Sequence, residues 1–472
     1  MGRPVSGGPS EARQGPPRIR NAEALLSHGS AGLRETALSV AAAGLESCDP
    51  SRAVERAVSL DGDRLLVAGV EHRLDPGAKL VVLGAGKATL SIAAALERIL
   101  GNRLTGGAIV VRDPGAPLRR IEVLSGEHPV PGELSLAGAR RLVELAGELR
   151  PGDIALCCFT GGSSALASLP PDGVPFADKR ALHALLLTVG LSIGEINTAR
   201  KHVSAVKGGR LAEVIAPAAI VNLTVSDVPD DRLDMLTDLT VRDGTTAADA
   251  MAVLRDHRLL DRVPASVLAH LDGPEAESPT LDEVDIQSVL LVTGASVCEA
   301  MAAAARAAGV APIVLSTSIE GEARELGRQL ARLARESAER GEPFPAPCVL
   351  IACGGEATVT LDDPGAFGGG GPNQEAALAA ALELAGGAAV ATVFLDTDGS
   401  DGGTGVAGGI ADGMSAQRAS DAGIQARPAL LEHRSAEAVR ALADQIESGP
   451  TGTNVNDLIA IAIGPPGAGE LA

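Results

Sequence analysis

Short apolar runs recur along this chain, many closing on glycine and leading into an Ala- and Leu-rich amphipathic run, and this alternation constrains the fold more than any other feature. KLVVLG (79–84) reads as a buried strand, passes through the turn Gly84-Ala85-Gly86-Lys87, and continues as a helix over about 89–100. AIVV (108–111), IEVL (121–124), DIALCCF (153–159) and AAIVNLTVSDV (218–228) are further strand candidates. VLLVTG (289–294) and PIVLS (312–316) each lead into a long helical run, and CVLIAC (348–353), ATVTL (357–361), AVATVFLDTDG (389–399) and LIAIAIG (458–464) complete the series. Strands that alternate with helices imply crossover connections. The expected class is therefore α/β, with mainly parallel sheets covered by helices.

At 472 residues the chain is long enough for two to three domains. The polar, Pro-containing segment 271–285 reads as a linker between an N-terminal domain (31–270) and a C-terminal one (286–466). Residues 1–30 open with MGRPVSGGPSEARQGPPRIR, which lacks the apolar stretch of a secretory leader and predicts a disordered tail.

A net charge of −20 and the absence of Trp and Tyr, with only five Phe, argue against nucleic-acid binding, which needs a basic footprint and stacking rings. No apolar run approaches the ~18 residues of a membrane span. Six cysteines without a CxxC pair suggest reduced thiols and a cytoplasmic location, and no zinc pattern is present.

Against this acidic background, EINTARKHVSAVKGGRLA (195–212) is basic. Arg200, Lys201, Lys207 and Arg210 face the single carboxylate Glu195. If the stretch is one helix ended by Gly208-Gly209, Arg200, Ser204 and Lys207 share a face that could hold a phosphate or carboxylate; a solvated surface face is the alternative.

The glycine-rich loops add candidate ligand sites. LGAGKATL (83–90) places Gly84, Gly86 and Lys87 where a strand turns into a helix, either an anion cradle or an ordinary turn, and lacks both the Walker A and the complete GxGxxG spacing. FTGGSSALAS (159–168) repeats the theme with Gly161, Gly162, Ser163 and Ser164, again an anion cradle or a capped turn without nucleophile-elbow spacing. In LTVSDVPDD (223–231), Asp227 could hold Mg2+, orient a hydroxyl or cap a turn. AFGGGGPNQEAALAAALEL (366–384) puts Asn373 and Gln374 in the first turn of a helix. DTDGSDG (396–402) is acidic around Asp398 without EF-hand spacing, and GPTGTNVNDL (449–458) presents Asn454 and Asn456 among hydroxyls.

The order GAGK, GEHPVP (126–131), TGGSSAL, EINTARKHVSAVKGGRLA, SDV, GGE, GGPNQE, TDGSDG and GPTGTNVNDL resembles the glycerate 2-kinase family from about Leu33 to Gly464. That resemblance implies a Rossmann-like glycerate-kinase domain followed by an α/β domain containing a MOFRL module (about 346–466), and ATP-dependent, Mg2+-assisted phosphorylation of D-glycerate on its 2-hydroxyl in a cleft between them. It puts the reactive lysine at Lys87, with Arg200 and Asp227 as further catalytic candidates and Asp227 and Asp398 as metal candidates. Glu195, Asn197, Lys201, Lys207, Arg210, Asn454 and Asn456 become substrate or nucleotide contacts, and the partners a small hydroxy acid and ATP, with pairing of two copies left open. Members are sometimes called hydroxypyruvate reductases, which no dinucleotide fingerprint here favours. The chain departs from the family pattern at Pro372, where an Arg is usual, at Thr237-Asp238-Leu239-Thr240 in place of SGPT, in the second half of TGGSSALA, and at Gly403 and Gly405. These departures admit a second reading, a relative that binds nucleotide or sugar acid without turnover.

Overall fold

The computed structural model describes residues 18–228, 231–361 and 369–465. Most of the expected tail, Pro229-Asp230 after Asp227, the start of the AFGGGG run and residue 466 lie outside them. Residues 18–30 are packed, not free as expected for the tail. The Arg20 N–H donates to the Glu447 carbonyl at 2.7 Å, the Asn21 side chain donates to the Gln445 carbonyl at 2.7 Å, and Leu25 is buried. Ile19 and Leu25 supply the apolar anchors that a tail read from its Gly and Pro content would lack.

A three-stranded antiparallel meander, β1 (Val58–Asp61), β2 (Arg64–Val67) and β3 (Val70–Arg73), precedes the main sheet. Its strands bury few side chains, so no apolar run marks them. β4 (Leu80–Ala85), β5 (Gly106–Val111), β6 (Glu122–Ser125), β7 (Ile154–Phe159), β8 (Ala219–Val225) and β9 (Ile286–Val292) then form one sheet in the order β6-β5-β4-β7-β8-β9, every neighbour parallel. This is the doubly wound order of Rossmann-type folds. Every residue of β4 and β7 is buried, as strands covered on both faces require. The order reverses between β4 and β7, and the loops leaving their C-terminal ends open a crevice there.

The second sheet contains β10 (Ala311–Ser316), β12 (Cys348–Cys353), β14 (Val390–Asp396), β15 (Gly408–Asp412), β16 (Gln445–Ile446) and β17 (Asp457–Ile463), with β11 (Gly321–Glu322) and β13 (Ala357–Thr358) as a separate pair. Its order is β10-β12-β17-β14-β15-β16, and only β10–β12 is parallel. Here the expectation of a mainly parallel sheet fails. β14 passes to β15, and β16 to β17, through loops without a crossover α-helix, which permits antiparallel pairing.

The two sheets share one core. Leu80, Val82 and Leu156 from the first belong to the same buried cluster as Val349, Ile351, Val393 and Leu458 from the second. The helix Ala31–Ser47 joins them, with Gly44 so close that a Cβ would lie 2.5 Å from Leu458 and 2.7 Å from Met301. Strand β9, beyond segment 271–285, completes the first sheet, so the chain enters the second sheet only after it. All six cysteines are buried and unpaired. Among the described residues no helix is long and apolar enough to cross a membrane.

A candidate active-site cleft between the sheets

Three loops at the C-terminal end of the first sheet lie against one another. Gly86 has φ +137°, and a Cβ there would sit 2.1 Å from Thr160 Oγ1, so only glycine lets the β4 loop rest on the β7 loop. The Lys87 N–H donates to the Gly161 carbonyl at 2.9 Å, and the Thr160 N–H to the Ala85 carbonyl at 3.0 Å. A Cβ on Gly161 would lie 1.8 Å from Asp227 Oδ2, so the carboxylate following β8 packs on bare backbone.

Three hydrogen bonds join these loops to the second sheet. Lys87 Nζ donates to Asp398 Oδ2, in the loop after β14, at 3.3 Å. Asn456 Nδ2, in the loop before β17, donates to the Asp227 carbonyl at 2.8 Å, and Ser91 Oγ donates to the Gly452 carbonyl at 3.2 Å. The Lys87 side chain is 42% exposed, so it is oriented yet open to a ligand.

Carboxylates outnumber cations around Lys87. Burial pushes its ammonium down, but Asp398, Asp396 and Asp227 outweigh that and hold it above the ordinary lysine range. Burial raises Asp227 to about 6 against the pull of Lys87. Burial also raises Asp457 to about 7 and Asp396 well above the usual carboxylate range, with Asp398 and Asp457 pushing Asp396 further. Glu356 is raised by burial too. Excess negative charge of this kind suits a divalent cation. Among the described residues no three potential ligands stand close enough to hold a metal unaided. Mg2+ commonly takes one or two carboxylates and completes its shell with water and phosphate oxygens, and this donor set fits that habit.

A second, buried polar cluster lies against the Gly162 loop. Lys207 is buried, donates to Ser164 Oγ at 2.5 Å and forms an ion pair with buried Asp238. Lys179 is buried, donates to the Val203 carbonyl, and is pushed down to about 7 by burial, with Lys207 and Arg200 adding to the effect. Arg200 is 9% exposed, and its Nε and Nη2 have no acceptor among the described residues. Burial lowers it to about 10. His128 feels both Lys87 and Arg200, and so links cluster to cleft; burial is the main cause of its lowered pKa.

Several candidates serve the fold. Segment 195–212 is not one helix to Lys207: the helix Ile193–His202 ends because Ser204 Oγ accepts the N–H groups of Val206 and Lys207. Gly209, at φ +79°, is the N-cap of the next helix, Arg210–Ile215. Lys201 pairs with Asp234 and Asp243 at 3.2 and 3.0 Å. Arg210 clamps the carbonyls of Lys201, Lys207, Glu275, Ala276 and Glu277, and does not join Arg200. Glu195 closes a capping box with Ser192 and bonds His257 at 2.8 Å. Asn197 is buried on the same helix. Asn373 and Gln374 are buried, and each donates through its backbone N–H and its side-chain amide to Asp401, fastening the start of their helix. The Asn454 side chain accepts the Asn456 N–H at 3.3 Å. Ser163 is buried where the β7 loop turns, its N–H on the Thr160 carbonyl.

The sequence reading passed over Lys179, Glu356 and His128 as site residues. GEHPVP and GGE carried the signal for the last two, whereas nothing near Lys179 distinguishes it from a surface lysine. The departures have structural correlates. Pro372 is the first residue of its helix, where its missing N–H costs nothing. Gly403, in place of the usual Pro, has φ +75°, which proline cannot adopt, and Gly405, in place of the later Asp, has φ +79°. Asp238 is the counter-ion of Lys207.

A doubly wound sheet with a lysine and carboxylates gathered at its switch point defines an α/β protein built to handle a small charged ligand between two lobes. Residues 36–272 match a family described as a domain of unknown function (DUF4147), and residues 348–457 match the MOFRL family. The chain is 38% identical over 432 residues to a glycerate 2-kinase of Pyrococcus horikoshii, covering 90% of this chain and 96% of the relative. It is 35% identical over 434 residues to a D-glycerate 2-kinase of Thermotoga maritima (90% and 97% covered) and 40% identical over 393 residues to a provisionally named hydroxypyruvate reductase of Agrobacterium vitis (82% and 88%). The crystal structure of the Thermotoga maritima glycerate kinase superposes with a TM-score of 0.80 at 33% identity, covering 92% of this chain and 99% of the other. A Pyrococcus horikoshii protein superposes with 0.78 at 36% identity (92% and 98%). The chain belongs to the glycerate kinase family.

Proposed function

We propose that this protein transfers the γ-phosphoryl group of ATP to the 2-hydroxyl of D-glycerate or a closely related small hydroxy acid, in the cytoplasm. The observation that carries this reading is Lys87, held at the switch point by Asp398 from the other lobe with Asp227 beside it. Phosphoryl transfer asks for positioned cations more than for covalent chemistry. Lys87 would neutralise charge on the transferring group. Asp227, raised to about 6, would accept the proton as the acceptor O–H breaks and the new O–P bond forms, with ADP leaving. Asp398, with water and phosphate oxygens, would hold Mg2+, which supplies charge neutralisation on the phosphate oxygens.

A reductase would need a nucleotide cradle that this loop does not complete. The third glycine of GxGxxG is replaced by Thr89, whose hydroxyl donates to the Cys158 carbonyl at 2.9 Å. Pro372 favours a relative without turnover, since the family's usual Arg is missing. A coupled assay for ADP, with and without D-glycerate, separates these readings. Glycerate-dependent ADP supports the kinase, and oxidation of NADH or NADPH by hydroxypyruvate without ADP would replace it.

A further inference from the structure

Arg200 is the described side chain whose surroundings account for it least. Its helix ends two residues later, and Lys179, Lys207, His128, His183 and Asp238 all lie within electrostatic range of the guanidinium. The charges do not balance. Asp238 is already the ion-pair partner of Lys207, Ser164 also takes a Lys207 hydrogen bond, and Lys179 is spent on the Val203 carbonyl. His183 has Nε2 on the Pro129 carbonyl at 2.9 Å, so it offers Arg200 no charge. Two buried guanidinium nitrogens without acceptors are costly, and native proteins keep such groups where a ligand completes them.

Resting on the kinase reading, we infer that Arg200 is the carboxylate-binding residue of the acceptor acid. A planar guanidinium fork matches a carboxylate through two parallel N–H···O bonds, which a lysine cannot reproduce. The balance of charge selects the ligand. With Lys207 paired to Asp238, Arg200 has no carboxylate of its own and Lys179 meets only a carbonyl, so the surplus of positive charge favours an anionic group, and the planar fork of Arg200 fits a carboxylate. His128 lies within electrostatic range of both Arg200 and Lys87, and its ring is 3.2 Å from where a Gly162 Cβ would stand, so this cluster adjoins the cleft. An acid gripped here at its carboxylate would present its hydroxyl toward Lys87 and Asp227. Neutral polyols would leave Arg200 unpaired and are rejected for that reason.

Arg200→Met and Arg200→Lys test this on the full chain, with KM measured separately for D-glycerate and ATP. Loss of the charge-assisted pair should raise KM for glycerate roughly 10- to 100-fold in Arg200→Met, leaving KM for ATP within about twofold. Arg200→Lys should recover only part of the loss, and the preference for glycerate over glycerol should shrink in both. Because no acceptor among the described residues is lost, Tm of Arg200→Met should hold or rise; a fall of more than about 5 °C would mark Arg200 as structural and overturn the inference. Thermal shifts with D-glycerate, L-lactate and inorganic phosphate act as a second readout independent of turnover. Stabilisation of the wild type by the two carboxylates, lost in Arg200→Met, supports the site even if no phosphoryl transfer occurs, a result that would sink the kinase reading alone. A KM rise confined to ATP, or stabilisation by phosphate only, would reassign Arg200 to the nucleotide. No response to any carboxylate would overturn the inference outright.

Discussion

At the scale of single residues, Lys87 and Asp227 make opposite demands on the fold. Lys87 gains stability from its carboxylates, while Asp227 is buried at a cost. Lys87→Met should lower kcat on the order of 10²- to 10³-fold, as removal of a positioned transition-state donor does, with little change in Tm because the side chain is 42% exposed. A large drop in Tm with intact kcat would show a structural lysine instead. For Asp227 the folded state favours the protonated form, its pKa standing at about 6 against an ordinary 3.8. Its contribution to stability is therefore greatest below about 4 and is lost as pH rises through about 6. Asp227→Asn should flatten that fall in urea midpoints between pH 4 and 7 while abolishing turnover, and an unchanged pH profile would refute the assigned burial. Lys87 was marked in the sequence by the family resemblance of its GAGK turn, since the strand, glycines and lysine alone read as either an anion cradle or an ordinary turn. Lys201 and Arg200 could not be told apart. Which of two adjacent cations is neutralised depends on Asp234 and Asp243, more than thirty residues away.

At the scale of elements, the helix Pro372–Glu383 shows how a loop carboxylate can serve as a cap. Asp401 accepts the N–H groups of Asn373 and Gln374 and both of their side-chain amides. Asp401→Ala would leave the two backbone N–H groups without their acceptor, while the side-chain amides keep Asp457 and Thr404, and should cost about 3 kcal/mol in chemical denaturation. A cost below about 1 kcal/mol would mean that water replaces the carboxylate. The glycine run and NQE identified this helix from sequence, but not the source of its cap, which comes from a loop beyond the next strand. The departure at Pro372 is testable at the same place. It occupies the first helical position, half-buried, so Pro372→Arg should keep Tm within a few degrees. If the missing cation limits the reaction, the substitution should raise glycerate-dependent ADP formation several-fold. No gain in a wild type that already turns over quickly would mean that another cation performs the role, with the exposed Arg112, within electrostatic range of His128, a candidate.

At the scale of the whole molecule, the lobes that frame the cleft are not separate folding units. The helix Ala31–Ser47 precedes the first sheet in sequence but packs on β17 and on the helix Gly294–Ala307, and buried Arg34 bonds Asp412 and Asp444 of the second sheet. The alternating pattern revealed most strands of the two main sheets, though not β15 or β16, and not this crossing, because apolar periodicity says which face is buried and not what it is buried against. It likewise could not distinguish the parallel first sheet from the largely antiparallel second. One contiguous core joining both sheets predicts a single cooperative transition, with calorimetric and van't Hoff enthalpies in agreement. Ligand should move that transition as a unit: at about 100 times its dissociation constant, MgATP would add roughly 2.7 kcal/mol. Deleting residues 18–35 should abolish the transition rather than shift it, since it removes Leu25, Arg34 and the first turn of the bridging helix. Two resolved transitions, only one of them sensitive to MgATP, would show that the lobes melt independently and that the cleft hinges on less than the shared core.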